Sequence, residues 1–300
     1  MKIGGILVTY NPNIELLTNV IASVNDQVDS ICLIDNSPYP VKKDFLKRFK
    51  NLVPIFLKKN MGIAAAQNLG LEYFQNLQYD YILFFDQDSI LPKNIVKGLL
   101  TAYQLLENNG FKVAVVGPKA VNRDNNKPYK EKYPVLSRFS IKNKIDNIIF
   151  NFEMVNSCLS SSSLISINNF NRIGLMESNL FIDGVDNEWC WRAKSKCKLD
   201  SFVVCNFAIN HKLGEGDKSL FGFKIAIASP FRVYYEFRNY FLLCNRDYVP
   251  VAWKYINGVK YFIKIFYFPI AVAPRLKYLS SIYNGIKDGF SSYFKNNITK

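Results

Sequence analysis

The residues of this chain best suited to chemistry begin with FFDQDS at 84–89, where Asp86 and Asp88 stand one residue apart after the apolar run 81–85. Such a pair at the end of a buried strand reads in either of two ways. Asp88 can cap a helix beginning near Pro92, or the pair can hold a hard divalent cation, Mg2+ or Mn2+. Such a cation takes one or two carboxylates and leaves its other positions to a diphosphate. A second acidic cluster, FIDGVDNEWCWRA at 181–193, sets Asp183, Asp186 and Glu188 beside Trp189 and Trp191. Asp183 and Asp186 have the spacing of a capping box, and Asp186 and Glu188 suit the positive first turn of a helix. The same cluster suits a site in which one carboxylate acts as base while an indole face stacks on a sugar ring. His211, the single histidine, ends a short strand before the loop GEGD at 214–217, which could close over a substrate.

Elements at regular intervals must position these groups. Short β-rich apolar runs at 3–8, 30–34, 53–57, 81–85 and 113–116 alternate with helical patterns behind Pro12 and over 63–74. Strand and helix in repeated alternation predict an α/β fold, a mostly parallel central sheet flanked by helices on both faces. Ligands of such sheets bind at the carboxyl ends of the strands. The polar clusters stand at those ends: Thr9, Tyr10 and Asn11 after the first run, Asp35 and Asn36 after the second, Asn60 and Gly62 after the third, Asp86 and Asp88 after the fourth. As single clusters they also read as ordinary turn residues. Gly62 opens a helix after a strand, so the backbone N–H groups there could approach an anion. No G-x-G-x-x-G or P-loop pattern is present, which argues against a nicotinamide dehydrogenase and a P-loop enzyme.

Beyond Pro118, a Lys- and Asn-rich stretch to about residue 147 predicts a loop. A strand, a serine-rich turn and another strand are expected over 154–167, a helix from near Asp186, and two short strands at 201–205 and 207–210. The 300 residues suffice for one substantial core with an elaboration, and 49% of them are hydrophobic. The six scattered cysteines contain no C-x-x-C and build no zinc cage with His211, so reduced thiols are expected. The sequence enters a strand pattern at once, so no signal peptide is expected, and the apolar run at 265–274 is too short to span a bilayer.

In their order and spacing, VTYNP (8–12), IDNS (34–37), NMGIAAAQNLG (60–70), FFDQDS, FIDGVDNEWCWRA and His211 resemble the inverting nucleotide-sugar glycosyltransferases of family 2, and among them the bacterial L-rhamnosyltransferases of cell-surface polysaccharide synthesis. The likeness runs over roughly residues 3–245. It implies a GT-A fold with a Rossmann-like nucleotide half at 1–117 and an acceptor half at 150–225, followed by a helical basic and aromatic region at 226–300. It further implies that Thr9, Tyr10 and Asn11 contact the base and ribose, that Asp35 meets the pyrimidine ring N–H, and that Asn36, Asn60, Gly62 and Asn68 line the nucleotide pocket. Asp86 and Asp88 match the family's D-x-D, with His211 completing the metal site, and Asp186 matches the base. Asp183, Glu188 and Trp189 would face the sugar or acceptor. Val185 stands where the family usually has Glu before the base, Gln67 where many relatives have Arg, and Ser160 to Ser163 replace a commonly Gly-rich turn. The resemblance suggests dTDP-β-L-rhamnose as donor and a glycan or lipid-diphosphate-linked acceptor.

Residues 221–300 hold twelve basic and three acidic residues, nine of the chain's net +14 charges, interleaved with aromatics. This reads as amphipathic helices packed on the catalytic domain. It reads equally as attachment to the cytoplasmic face of the inner membrane, where anionic lipids attract Lys and Arg. No nucleic-acid module is present, and no nucleic-acid partner is expected. A haloacid dehalogenase-like phosphatase also carries D-x-D, but after its first core strand rather than the fourth. A nucleotide-sugar-binding subunit without turnover is the non-enzymatic alternative.

Overall fold

The computed structural model describes residues 1–122, 134–211, 217–220 and 223–298; for 122, 211, 217–220, 223–226 and 292–298 it describes the backbone alone. The first half runs β1 (Ile3–Thr9), α1 (Ile14–Asn25), β2 (Ser30–Asp35), a short α2 (Lys43–Leu46), β3 (Leu52–Phe56), α3 (Ile63–Asn76), β4 (Tyr81–Asp86), α4 (Ile95–Asn108) and β5 (Val113–Asn122). The second runs β6 (Val135–Lys142), β7 (Ile149–Val155), β8 (Leu164–Ser166), α5 (Ile167–Ile173), α6 (Val185–Cys197) and β9 (Asp200–His211). It continues through the hairpin β10 (Asp217–Leu220) and β11 (Phe223–Ala226) to α7 (Pro230–Cys244), α8 (Val251–Ala271) and α9 (Arg275–Ile298).

One sheet carries the strands β1 to β9 in the order β3-β2-β1-β4-β8-β5-β9-β7-β6. The half formed by β3, β2, β1 and β4 is parallel throughout, as βαβ connections require. Beyond β4 the sheet is mixed: β8 runs antiparallel to β4 and β5, β5 pairs parallel with β9, and β7 and β6 close the edge antiparallel. Side-chain alternation sends Leu7, Leu33, Leu83 and Phe85 to a core shared with α1 and α4. Ile6, Ile34, Ile82 and Phe84 go to the opposite core with α3, α5 and α6. Both faces are therefore covered, and only the strand ends remain for chemistry.

Two expectations change. The stretch after Pro118 is not all loop: β5 continues to Asn122, and β6 forms the sheet edge with a largely exposed pattern. Ser137, Arg138, Ser140 and Lys142 stand exposed on this edge strand, where charge blunts pairing with other chains; the Lys- and Asn-rich run at 123–133 lies outside the described residues. The two short strands at 201–210 are the halves of β9, divided where its register against β5 jumps from Pro118↔Val204 to Lys119↔Ala208. A third core joins α7, α8 and α9 through Val233, Phe237, Phe268, Tyr278 and Ile282. Much of the aromatic tail thus packs on itself.

Candidate functional site

The donor side is assembled from three strand ends tied by short polar contacts. Asn36, almost fully buried, donates from Nδ2 to Asn60 Oδ1 at 3.0 Å and to the Gly62 carbonyl at 3.3 Å, and its Oδ1 accepts the Met61 N–H at 2.7 Å. Asn60 Oδ1 also accepts the Gly62 N–H at 3.0 Å. The backbone N–H of Asn36 donates to the Thr9 carbonyl, and that of Asn11 to Ser37 Oγ. Tyr10 is 45% exposed and held by a residue the motif leaves unspecified. Gln87, between the two aspartates, accepts the Tyr10 N–H at 2.7 Å and donates back to the Tyr10 carbonyl at 3.2 Å. The middle position of D-x-D thereby fixes the edge of the pocket.

Asp35 is completely buried, and its two oxygens accept the N–H groups of Ser37 at 3.1 Å and Val41 at 2.7 Å. In this conformation it shapes the loop behind the pocket and turns no surface to a ring. Asn68 differs outright from expectation. Its Nδ2 donates to the Met176 carbonyl and Ser178 Oγ, and its Oδ1 accepts the Met176 N–H, so it anchors the 176–178 segment and does not line the donor pocket.

The start of α3 is also not the open anion cradle that Gly62 suggested. The Phe181 carbonyl already accepts the N–H groups of Ile63 at 2.7 Å and Ala64 at 3.5 Å. Gly62 is required there twice over: its φ is +83°, and a Cβ would lie 2.6 Å from that carbonyl oxygen.

Asp86 ends β4 and is partly buried. Burial pushes its carboxyl up to about 6, the neighbouring Ser161 hydroxyl draws it back, and the charge of Asp88 adds to the rise. Helix α4 begins at Ile95 behind Asn94, with no side-chain cap, so Asp88 is not its N-cap. The serine turn is the hub between the two acidic clusters. Gln67 Nε2 donates to Ser160 Oγ at 3.3 Å, and Ser157 Oγ donates to Asn187 Oδ1 at 2.8 Å. Ser162 Oγ and Gln67 Oε1 are buried there with no hydrogen-bond partner among the described residues. The Cys158 thiol at the head of the turn is raised by burial first, then by Cys190 and by the charge of Asp186, so that carboxylate lies within electrostatic reach. Asn187 is not marked in the sequence, because an amide inside a helix carries no local signature, and Gln67 is marked only as standing where many relatives have Arg.

Helix α6 starts behind Gly184 without a side-chain cap, and Asp183, instead of forming a capping box, pairs its carboxylate with Arg232 of α7. Glu188 and Trp189 do not face a substrate. Glu188 is fully buried, accepting from the Arg192 guanidinium at 2.7 and 2.9 Å and from the Tyr248 hydroxyl at 2.7 Å. Trp189 is 1% exposed, donates its indole N–H to the Gly174 carbonyl and packs on Phe170. Trp191 is likewise buried, edge-on to Trp253. Helical geometry turns these residues inward, while Asp186, at the second position of α6, lies within electrostatic reach of Cys158 at the serine turn. His211 closes β9 opposite Asn122; its side chain lies outside the described residues. A separate open cleft of about 370 Å³, lined by Met176, Glu177, Arg192, Lys196, Arg246 and Tyr248, runs along the later turns of α6 and holds none of the predicted site residues.

Solved structures share this architecture. GalNAc-T7, solved with UDP, GalNAc and Mn2+, superposes with a TM-score of 0.53 at 13% identity over 91% of this chain, which spans 58% of that structure. A 1–349 fragment of TarS from S. aureus gives 0.52 at 16% identity, covering 98% of this chain and 82% of the fragment. The fold is that of the GT-A glycosyltransferases, with carboxylates at the carboxyl end of its parallel half. The chain belongs to glycosyltransferase family 2: the Glycosyl transferase family 2 profile matches residues 6–166. It is 32% identical over 253 residues to the dTDP-rhamnosyl transferase RfbF of Shigella flexneri, a match covering 83% of this chain and 82% of that protein.

Proposed function

We propose that the chain transfers L-rhamnose from dTDP-β-L-rhamnose, with inversion, to a hydroxyl of a glycan or lipid-diphosphate-linked acceptor in cell-surface polysaccharide synthesis. One observation carries the reading: two acidic centres, Asp86 with Asp88 and Asp186, gather around one serine turn in a chain this similar to a dTDP-rhamnosyl transferase. Asp186 takes the proton of the acceptor hydroxyl as its oxygen attacks the anomeric carbon from the face opposite the leaving nucleotide. A single displacement turns the β-linked donor into an α-L-rhamnoside. Tyr10 and Asn11 line the base and ribose; Thr9, completely buried, with Asn36, Asn60 and Gly62, holds that wall in shape. Gln67 and Ser162 bring buried polar atoms to the side where the diphosphate and sugar would lie.

Asp86 and Asp88, with His211, would hold Mg2+ or Mn2+, and a cation bound there would neutralise the charge of the leaving diphosphate. The residues fit this role, since Asp86 is a carboxylate whose ionised form burial penalises, a penalty that a cation relieves. Among the described residues no three His, Cys, Asp or Glu side chains converge.

Among the described residues no helix is long and apolar enough to cross a membrane. Helix α8 nevertheless turns Tyr255, Ile256, Val259, Phe262, Phe266 and Ile270 outward. This apolar stripe beside a basic tail supports a location on the cytoplasmic face of the inner membrane, where a lipid-linked acceptor would be found.

Calorimetry with dTDP-rhamnose and with UDP-sugars, each with and without Mn2+ or Mg2+, tests the donor and the metal. Metal-dependent preference for dTDP-rhamnose is expected. Equal binding of UDP-sugars would remove the rhamnosyl assignment, and donor binding indifferent to both cations would remove the metal.

A further inference from the structure

We propose that Asn239 of α7 is a positioning residue for the base, clamping the 180–184 loop that leads into Asp186; this rests on the reading of Asp186 given above. The loop is unusual in its backbone. Phe181 (φ 64°, ψ −64°), Asp183 (φ 60°) and Gly184 (φ 88°) all stand at positive φ, and no other four-residue stretch among the described residues holds three. Two of these residues carry a Cβ. Such conformations persist only where their surroundings over-determine them, and they gather at functional sites.

One residue supplies most of the polar contacts in these surroundings. Asn239 Nδ2 lies 2.8 Å from the Leu180 carbonyl, 2.6 Å from that of Ile182 and 2.9 Å from that of Asp183, sharing two hydrogens among three acceptors. Its Oδ1 accepts from the Arg238 guanidinium at 2.8 and 3.1 Å, which fixes the amide's orientation. The side chain is 2% exposed. Arg232, seven residues earlier on the same face of α7, pairs with the Asp183 carboxylate. Leu243, four residues later, sits where a Cβ on Gly184 would meet it at 3.1 Å. Of the two carbonyls of 180–184 that Asn239 does not hold, that of Phe181 points to α3 and that of Gly184 accepts the Glu188 N–H within α6.

Asparagine suits the position because it supplies two short, neutral donors. An apolar residue would strand three carbonyls in a buried place, and an aspartate would set a second carboxylate against them beside Asp183. Helix α7 therefore belongs to the catalytic machinery although it follows the glycosyltransferase half in sequence. General-base catalysis requires hydrogen-bond reach, and a misplacement of about 1 Å costs on the order of 100-fold.

The test uses the full chain and water as acceptor, following release of dTDP from dTDP-rhamnose, together with hydrogen exchange of the 180–186 amides. Asn239→Ala is expected to lower kcat about 100-fold and shift the acid limb of its pH profile. Donor Kd should stay within about twofold, and exchange over 180–186 should accelerate at least about tenfold. Asn239→Ser, which keeps one donor, should recover part of both effects and serves if the alanine variant does not fold. A lowered Tm with kcat, pH profile and 180–186 exchange unchanged would overturn the proposal, leaving Asn239 a packing residue only. Asp186→Asn separates the two ideas. Should that variant turn over like the parent, the base assignment fails, and the clamp then stands or falls on the exchange data alone.

Discussion

The two walls of the site are built differently. The donor wall is local: Asn36, Asn60, Gly62, Tyr10 and Gln87 come from consecutive strand ends of the parallel half and bond mostly across adjacent loops. The base wall is remote, its loop at 180–184 held by a helix residue 56 positions beyond Asp183. A wall made of successive βα turns is fixed once the sheet forms. A wall braced from a later helix depends on that helix docking, and it meets the donor wall at one seam, the Phe181 carbonyl on the start of α3.

The sharpest way to break this contrast is Asp186→Asn. It should reduce sugar transfer by about 1,000-fold or more while donor Kd changes less than about twofold in calorimetry; a large loss of donor affinity would mean that the walls are not separable. Next in size is Glu188→Ala, which leaves the Arg192 guanidinium buried without its carboxylate. A loss of about 3 to 5 kcal/mol in chemical denaturation is expected, with kcat at permissive temperature nearly unchanged; a selective loss of kcat would return Glu188 to the acceptor site. Gly62→Ala strikes where the two walls touch. Its Cβ meets the Phe181 carbonyl at positive φ, and both stability and transfer should fall, stability by about 1 to 3 kcal/mol.

Asp86 sharpens the donor side through pH. Its folded-state value, about 6, lies above the ordinary carboxylate value of 3.8, so ionisation costs folding free energy above that range and nothing below both values. In metal-free protein, Asp86→Asn should therefore exceed the parent's stability by about 1 to 2 kcal/mol at pH 8, allowing for partial solvent contact. The advantage should shrink as pH falls through 6 towards 4 in urea titrations, and saturating Mn2+ should reverse it at pH 8. The smallest effect is expected from Gln87→Ala, a roughly threefold to tenfold weaker donor Kd with kcat preserved, since Tyr10 loses its two-point anchor.

The same difference explains what could be read from sequence. The parallel half is legible because each strand and helix announces itself by its own period, and Thr9, Asp35, Gly62 and Asp86 fall at the strand ends. Roles within that half were less legible: Asn68 follows Gly62 by less than two helical turns, yet it faces Met176, a direction set by how α3 packs. In the second half, Trp189 and Glu188 look like sugar-site residues beside Asp186, and only the rotation of α6 against Phe170 and Tyr248 turns them inward. β6 was hidden by the polar composition of an edge. Asn239 is an asparagine in mid-helix, and nothing near it in sequence points 56 residues back.

The Phe181 carbonyl, seated on the first N–H groups of α3, makes one peptide unit common to both walls. While it stays seated, the N–H groups of Ile63 and Ala64 are occupied by the chain itself, and any strain at the opening of α3 passes to the loop before Asp186 with no side chain in between.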